Sequence, residues 1–178
     1  NNAKLNDDIY VTGNLGDSFI GLNILKKKIK VNNFLSTYFV KRYYQPILFP
    51  KLTKKLLDFA NTSIDVSDGL ITDLEKLINK QKLSYKLYMK KVPISKNLQK
   101  LIFLKKLKKE YCVTQGDDYQ ILFTASPSKS RIIHKTAKSL SIKISKIGKI
   151  STSILKSEIF NQNGEKIALK KQGYYHKF

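Results

Sequence analysis

The chain reads Ile-Asp-Val-Ser-Asp-Gly-Leu at residues 64–70. An apolar, β-branched run that meets a glycine, followed by apolar residues at helical spacing, predicts the junction of a β-strand with an α-helix. Asp65 and Asp68 lie three residues apart with the hydroxyl of Ser67 between them. Carboxylates at such a junction can hold a hydrated divalent cation, while a hydroxyl and backbone N–H groups receive a phosphate. A well-capped helix with an incidental second acid is the alternative interpretation.

Strand-like and helix-like segments alternate along the whole chain, which predicts a single mixed α/β layered domain. Strands are predicted at 8–13, 63–66, 83–89, 121–124, 142–150, 157–161 and 166–169. Helices are predicted at 19–25, 31–44, 52–60, 70–78, 93–107 and 129–140. Asp17 is placed to cap the first helix. The glycine-bearing segment 13–18 before that helix is either a tight turn or a phosphate cradle, and it matches no standard nucleotide-binding glycine pattern.

The composition narrows the classes of site that the chain can contain. Its 178 residues, 42% of them hydrophobic, suffice for one substantial core. Cys112 is the single cysteine, which excludes an internal disulfide, favours a buried inert thiol and indicates a reducing cytoplasm. With two histidines, any metal is expected to be a hard one held by oxygen. No apolar run approaches the ~20 residues of a membrane helix, so a soluble chain is expected.

The formal net charge of +21 raises the possibility of nucleic-acid binding. The lysines, however, are spread along the chain rather than concentrated in one block. Lysine is accompanied by abundant Ile, Asn and Tyr, with two arginines, Arg42 and Arg131, and no tryptophan. Such a mixture is typical of amino acids with AT-rich codons, so the charge has a compositional explanation as well as a functional one.

A second acidic stretch, Gln-Gly-Asp-Asp-Tyr-Gln-Ile-Leu-Phe-Thr, occupies residues 115–124. A glycine and two consecutive acids, Asp117 and Asp118, precede an apolar strand, so their carboxylates are expected at the mouth of that strand. Two adjacent acids at a strand start form either a solvated turn or part of a site. The local sequence leaves both interpretations open.

Four segments taken together closely resemble the thiamine-monophosphate kinase family: residues 9–18, 64–70, 115–124 and the terminal Gly-Tyr-Tyr-His-Lys-Phe at 173–178. The resemblance runs over essentially the whole chain. It implies a mixed α+β, layered sandwich like the C-terminal domain of aminoimidazole-ribonucleotide synthetase. In that family a preceding N-terminal domain, absent from this chain, forms a homodimer and carries further magnesium-binding aspartates. The implied reaction is ATP-dependent phosphorylation of thiamine monophosphate to the diphosphate.

The resemblance also implies roles for particular residues. Asp65 and Asp68 correspond to Mg²⁺ ligands, and Ser67 corresponds to an ATP contact. Asp117 and Tyr174 correspond to residues that contact the thiamine substrate, although Asp117 stands where the family usually has glutamate. No catalytic base is implied, because a phosphate is the nucleophile.

Some features depart from the family or favour other functions. Residues 45–49 lack the arginines that the family usually has there. Most of the metal ligands would lie outside this chain, so the chain alone is expected to be inactive or incomplete. Two alternatives remain: another ATP-dependent enzyme of the same superfamily, and a basic nucleic-acid-binding module. Binding to a duplex with a steep salt dependence would identify the second.

Overall fold

A computed structural model describes residues 2–78, 82–152 and 156–168. Helices and strands are interspersed through these residues, as the sequence predicts, although three helices follow the first strand and the chain described ends in three successive strands. The helices are α1 (Asp17–Leu25), α2 (Asn33–Tyr44), α3 (Pro50–Leu56), α4 (Leu70–Ile78), α5 (Lys96–Lys105), α6 (Lys109–Val113) and α7 (Ser130–Ser139). The strands are β1 (Asp8–Thr12), β2 (Thr62–Asp65), β3 (Leu83–Tyr88), β4 (Ile121–Ala125), β5 (Ile144–Thr152), β6 (Glu158–Phe160) and β7 (Lys166–Ile167).

The strands form one sheet whose order is β2-β4-β1-β5-β3-β6-β7 in the part of the chain that the structure describes. Neighbouring strands are antiparallel except for β3 and β6, which run parallel. β2 therefore lies at one edge of the sheet and pairs with β4, although about 55 residues separate the two strands along the chain. This pairing brings the acidic segments at 64–70 and 115–124 to the same end of the sheet.

Both faces of the sheet are covered, so the domain is layered. On β1, Ile9 and Val11 point to a core that includes the apolar face of α4. Tyr10 points the opposite way and packs with α3 and α7 residues such as Leu52 and Ile133. This alternation follows from the two-residue period of a strand. The predicted mixed α+β layered fold is confirmed.

A third apolar cluster joins α1, α2 and α5 beside the sheet. Ile20, Phe39 and Leu98 are fully buried in it, and Cys112 of α6 belongs to the same cluster. Burial raises the pKa of the Cys112 thiol to about 12, so the thiol stays protonated at neutral pH. The predicted buried, inert cysteine is confirmed.

The structure differs from the sequence predictions in a few elements. The predicted helix at 52–60 is the seven-residue α3, which ends at Leu56. The five-residue α6 was not predicted. The predicted segment 142–150 is one nine-residue strand, β5, that pairs with both β1 and β3. None of the described helices is long and apolar enough to cross a membrane.

Candidate functional site

A short loop joins β2 to α4, and the backbone hydrogen bonds between β2 and β4 continue into the start of this loop. Asp65 is the last residue of β2, it is exposed, and it lies opposite Ile121 of β4. Val66 is buried; its N–H donates to the Gln120 carbonyl (2.8 Å), and its own carbonyl accepts from the Tyr119 N–H (2.9 Å). The loop 67–69 therefore begins from a rigid strand end.

Asp73, on the first turn of α4, holds this loop in place. Its side chain is completely buried, and Oδ2 accepts hydrogen bonds from the backbone N–H groups of Ser67 (3.0 Å), Asp68 (2.9 Å) and Gly69 (3.1 Å). Three N–H groups that converge on one carboxylate fix the direction of the loop and satisfy donors that would otherwise be unpaired. The sequence alone shows Asp73 only as an acid in the first turn of a helix, which the helix dipole favours, and does not reveal this role.

The loop 67–69 and the loop 114–117 contact each other backbone to backbone. The Asp117 N–H donates to the Ser67 carbonyl at 2.9 Å. Both loops contain a glycine with positive φ, Gly69 (115°) and Gly116 (92°). A Cβ atom at Gly69 would lie 2.2 Å from the Thr114 carbonyl oxygen, and one at Gly116 would lie 2.2 Å from the Ser67 carbonyl oxygen. Each position therefore requires glycine for two reasons: the other loop's backbone lies too close for a Cβ atom, and the positive φ is one that other residues rarely adopt.

This contact brings Asp68 and Asp117 close enough for their charges to interact. Burial raises the pKa of Asp117, nearby Asp68 raises it further, and Lys26 opposes the shift. Burial is the largest cause that raises the pKa of the Tyr119 phenol, and the negative charges of Asp117, Asp65 and Asp68 raise it further. The negative charges at 65, 68 and 117 thus all act on the same phenol. Tyr119 was not among the predicted site residues, although its position directly after the acid pair in the sequence was the signal for it.

Lys76 is the basic residue in contact with this cluster. Its ammonium pairs with the Asp68 carboxylate and, at 3.0 Å, with Oδ1 of Asp73. The hydrogen bond to Asp68 raises the pKa of Lys76, against the effect of burial, so the ammonium is charged at neutral pH. Within the described residues Asp65 has no ion-pair partner.

The donors at the loop fit a hard divalent cation in chemistry but not in number. Asp65 and Asp68 offer carboxylate oxygens, which Mg²⁺ prefers, and both are accessible to solvent. Throughout residues 2–78, 82–152 and 156–168, however, no group of three or more His, Cys, Asp or Glu side chains is arranged to hold a metal ion. Mg²⁺ commonly retains several waters and uses one or two carboxylates together with substrate phosphates. The pair therefore fits a partial Mg²⁺ site.

The turn between β1 and α1 has the internal hydrogen bonds of a tight turn, one of the two roles considered for it. The N–H group of Gly13 donates to the Lys143 carbonyl (2.8 Å), and that of Leu15 donates to the Pro93 carbonyl (3.0 Å). Gly16 and Ser18 donate to the Asp118 carboxylate at 2.7 and 3.4 Å. Because these four donors are paired within the protein, the structure favours the tight turn over the phosphate cradle.

The prediction that Asp17 caps α1 is wrong. Gly16 is the N-cap residue, and the side chain that caps the helix is Asp118, about 100 residues further along the chain. Asp17 is buried beside it and accepts hydrogen bonds from the hydroxyls of Ser95 (2.7 Å) and Tyr38 (2.8 Å). Burial raises the pKa of Asp118 to about 8, the charge of Asp17 adds to the shift, and the two backbone hydrogen bonds oppose it.

Most of the predicted site residues converge. Ser67, Asp68 and Asp117 lie on the two contacting loops, and Asp65 lies at the adjoining end of β2; we call these four residues the loop pair site. Asp118, adjacent to Asp117 in sequence, faces away into the α1 turn. Tyr174 lies outside the described residues.

The fold belongs to the class of aminoimidazole-ribonucleotide synthetase-like proteins. A structure of E. coli HypE, 14% identical, covers 99% of this chain and 52% of the HypE chain with a TM-score of 0.74. A structure of T. maritima PurL complexed with ATP, 12% identical, covers 93% of this chain and 25% of the PurL chain with a TM-score of 0.60. At these identities the likeness shows the fold alone. No protein-family model matches the chain.

Within that class the chain is related to the thiamine-monophosphate kinases over nearly its whole length. It is 36% identical over 178 residues to the thiamine-monophosphate kinase of Buchnera aphidicola subsp. Schizaphis graminum, covering 98% of the chain and 54% of that protein. It is 30% identical to the protein of that name from Escherichia coli strain K12, covering 98% and 53%. The structure of AaThiL complexed with AMPPCP and TMP covers 99% of the chain and 53% of the neighbour, at 25% identity and a TM-score of 0.80. The chain spans about half the length of the curated relatives that it matches.

Proposed function

We propose that this chain is part of a phosphotransferase that phosphorylates thiamine monophosphate to thiamine diphosphate with ATP. The observation that carries this proposal is the loop pair site, where two carboxylates, a hydroxyl and a third acid meet at the end of β2 and β4. Its support is the relation to thiamine-monophosphate kinases, one of which binds both AMPPCP and TMP. Phosphoryl transfer depends mainly on positioning and charge neutralisation, which such a group can supply.

Each residue of the loop pair site has a separate role in this proposal. Asp65 and Asp68 would hold Mg²⁺, which neutralises phosphate charge when it is bound. Ser67 would direct its hydroxyl to the nucleotide. Asp117 would contact the thiamine substrate, with Tyr174 as the aromatic partner of the cationic ring. We assign no general base, because a phosphate oxygen is already a nucleophile at neutral pH.

The rest of the active site would come from outside the described residues. Two carboxylates and one hydroxyl cannot enclose a nucleotide and a second substrate. We therefore propose that the chain corresponds to the C-terminal half of the enzyme and that an N-terminal domain supplies further metal ligands and a homodimer interface. On this proposal the 178-residue chain alone is inactive. The single buried cysteine supports a reducing, cytoplasmic location.

The test is the replacement of Asp65 or Asp68 with asparagine in the natural-length protein. Each change removes one negative charge without changing the side-chain size, and we expect Mg²⁺-dependent diphosphate formation to fall by about 100-fold or more. Asp58→Asn is the matched control, since Asp58 is exposed and its nearest ion-pair partner, Lys55, is 4.0 Å away. Wild-type turnover in both site variants would refute the metal role.

The same series separates the remaining roles. Asp117→Asn should raise KM for thiamine monophosphate more than KM for ATP, since only the thiamine substrate is expected to touch this side chain. Equal effects on both constants would count against a substrate contact. Duplex binding that falls steeply with salt and is unchanged in Asp65→Asn would favour the nucleic-acid alternative instead.

A further inference from the structure

Lys76 lies between two acids that have different environments. The Asp68 side chain is 23% exposed, the Asp73 side chain is fully buried, and the Lys76 side chain is 45% exposed. Oδ2 of Asp73 is occupied by the three N–H groups of the loop, so Lys76 takes the other oxygen, Oδ1. The ammonium therefore has a fixed, buried partner in Asp73 and an accessible partner in Asp68.

We propose that Lys76 is the resident counter-cation of Asp68 and that a divalent cation must displace it to bind there. This inference rests on the metal role proposed for Asp68. The Lys76 ammonium neutralises part of the charge of the Asp68 carboxylate and repels a divalent cation that approaches the same group. Occupation of Asp68 by Lys76 thus lowers the affinity of the loop pair site for a cation.

The position of Asp73 lowers the free-energy cost of moving the Lys76 ammonium away from Asp68. When Lys76 leaves Asp68, its ammonium retains the 3.0 Å contact with Asp73 and access to solvent, so no charge is left buried without a partner. The loop itself does not need to move, because Asp73 holds it through Oδ2 independently of Lys76. Lys76 therefore acts as a positioning residue with two states, paired with Asp68 or with Asp73 alone.

The experiment measures Mn²⁺ binding to the natural-length protein without nucleotide, by the loss of the free Mn²⁺ signal in electron paramagnetic resonance. Removal of the ammonium in Lys76→Met should tighten Mn²⁺ binding by roughly ten-fold, as expected for one charge near a half-exposed cation site. Lys76→Gln should behave in the same way. Lys76→Arg keeps the charge and should bind Mn²⁺ as the wild type does.

Lys55→Met is the matched control for the loss of one positive charge. Lys55, on α3, also faces an aspartate three residues away, Asp58, but at 4.0 Å, and it forms no ion pair with a residue of the loop pair site in the part of the chain that the structure describes. It should leave the Mn²⁺ affinity unchanged. An equal gain in Lys55→Met and Lys76→Met would show an effect of net charge alone and would overturn the inference.

Asp68→Asn distinguishes failure of this inference from failure of the proposed function. If Asp68→Asn leaves Mn²⁺ binding unchanged, or if the wild type binds no Mn²⁺ and Lys76→Met does not create binding, both the metal role and the competition are refuted. If Asp68→Asn weakens Mn²⁺ binding while Lys76→Met leaves it unchanged or weakens it, only the competition is refuted. In that outcome Lys76 orients the carboxylate for the metal rather than competing with it.

Discussion

Replacement of Asp73 with alanine should destabilise the protein and release the loop 67–69. The carboxylate accepts three backbone hydrogen bonds of 2.9 to 3.1 Å and one ion pair, and it has no exposure to solvent. A hydrogen bond to a charged group contributes about 1.5–3 kcal/mol, and an unsatisfied buried donor costs a similar amount. Because one oxygen serves all three donors and water can enter the opened loop, the contributions are not additive. We expect a total loss of about 3–5 kcal/mol in the free energy of unfolding.

Urea denaturation measures this loss directly. With a denaturant slope of about 2.5 kcal/mol per molar, the midpoint of Asp73→Ala should fall by about 1–2 M. Asp73→Asn retains one acceptor oxygen and should lose less. Asp58→Ala is the control, because a change at that exposed position should shift stability by less than about 0.5 kcal/mol. A midpoint for Asp73→Ala equal to that of the control would refute the role of Asp73.

Amide hydrogen exchange tests where the effect arises. The N–H groups of Ser67, Asp68 and Gly69 should exchange faster in Asp73→Asn than in the wild type, while the buried N–H groups of β1 should change only in proportion to global stability. Uniform acceleration over the whole chain would indicate general destabilisation and would contradict a specific hold on the loop.

Two further predictions follow from the glycine contact and from the buried acid at α1. Gly116→Ala should lower the free energy of unfolding by more than about 2 kcal/mol, because the new Cβ would meet the Ser67 carbonyl. Gly164 has a similar φ but no atom within 4 Å of such a Cβ, so Gly164→Ala should cost only about 1 kcal/mol. Equal losses of stability in denaturation would contradict the close contact at Gly116. Folding raises the pKa of the Asp118 carboxyl from 3.8 to about 8, so the folded state binds a proton there more tightly than the unfolded state does. The stability of the wild type relative to Asp118→Asn should therefore fall as the pH rises from about 4 to about 8. Parallel stability profiles for the two proteins over that range would contradict the shift.

The sequence predicted the parts of the fold that depend on local pattern. The helical spacing after Gly69 gave α4, and the β-branched runs at 8–13 and 63–66 gave β1 and β2. The strand-to-helix junction that holds Asp65 and Asp68 was predicted for the same reason. Each of these signals comes from residues close together in the chain, so the local spacing of apolar and β-branched residues is enough to produce it.

The remaining features depend on contacts between distant parts of the chain. Asp17 had the right position for a helix cap, but Asp118 provides the cap from about 100 residues away, and this leaves Asp17 to bind Ser95 and Tyr38. In the sequence Asp73 looks like an ordinary acid in the first turn of a helix. It becomes a buried acceptor only because the loop 67–69 folds back so that its N–H groups point at the Asp73 carboxylate. The parallel pairing of β3 and β6 likewise has no local signature.

The backbone contact between the loops 67–69 and 114–117 has a practical consequence for finding what the protein binds. Because the two loops are about 50 residues apart in the chain and meet only when β2 and β4 are paired, the loop pair site does not exist in the unfolded chain. Any molecule that binds there binds the folded state and not the unfolded state, and it therefore raises the free energy of unfolding. A ligand at 100 times its Kd would add about 2.7 kcal/mol, or roughly 5–10 °C in Tm for a domain of this size. Thermal-shift screening of divalent cations, nucleotides and thiamine phosphates, singly and in combination, would therefore rank candidate ligands without an activity assay.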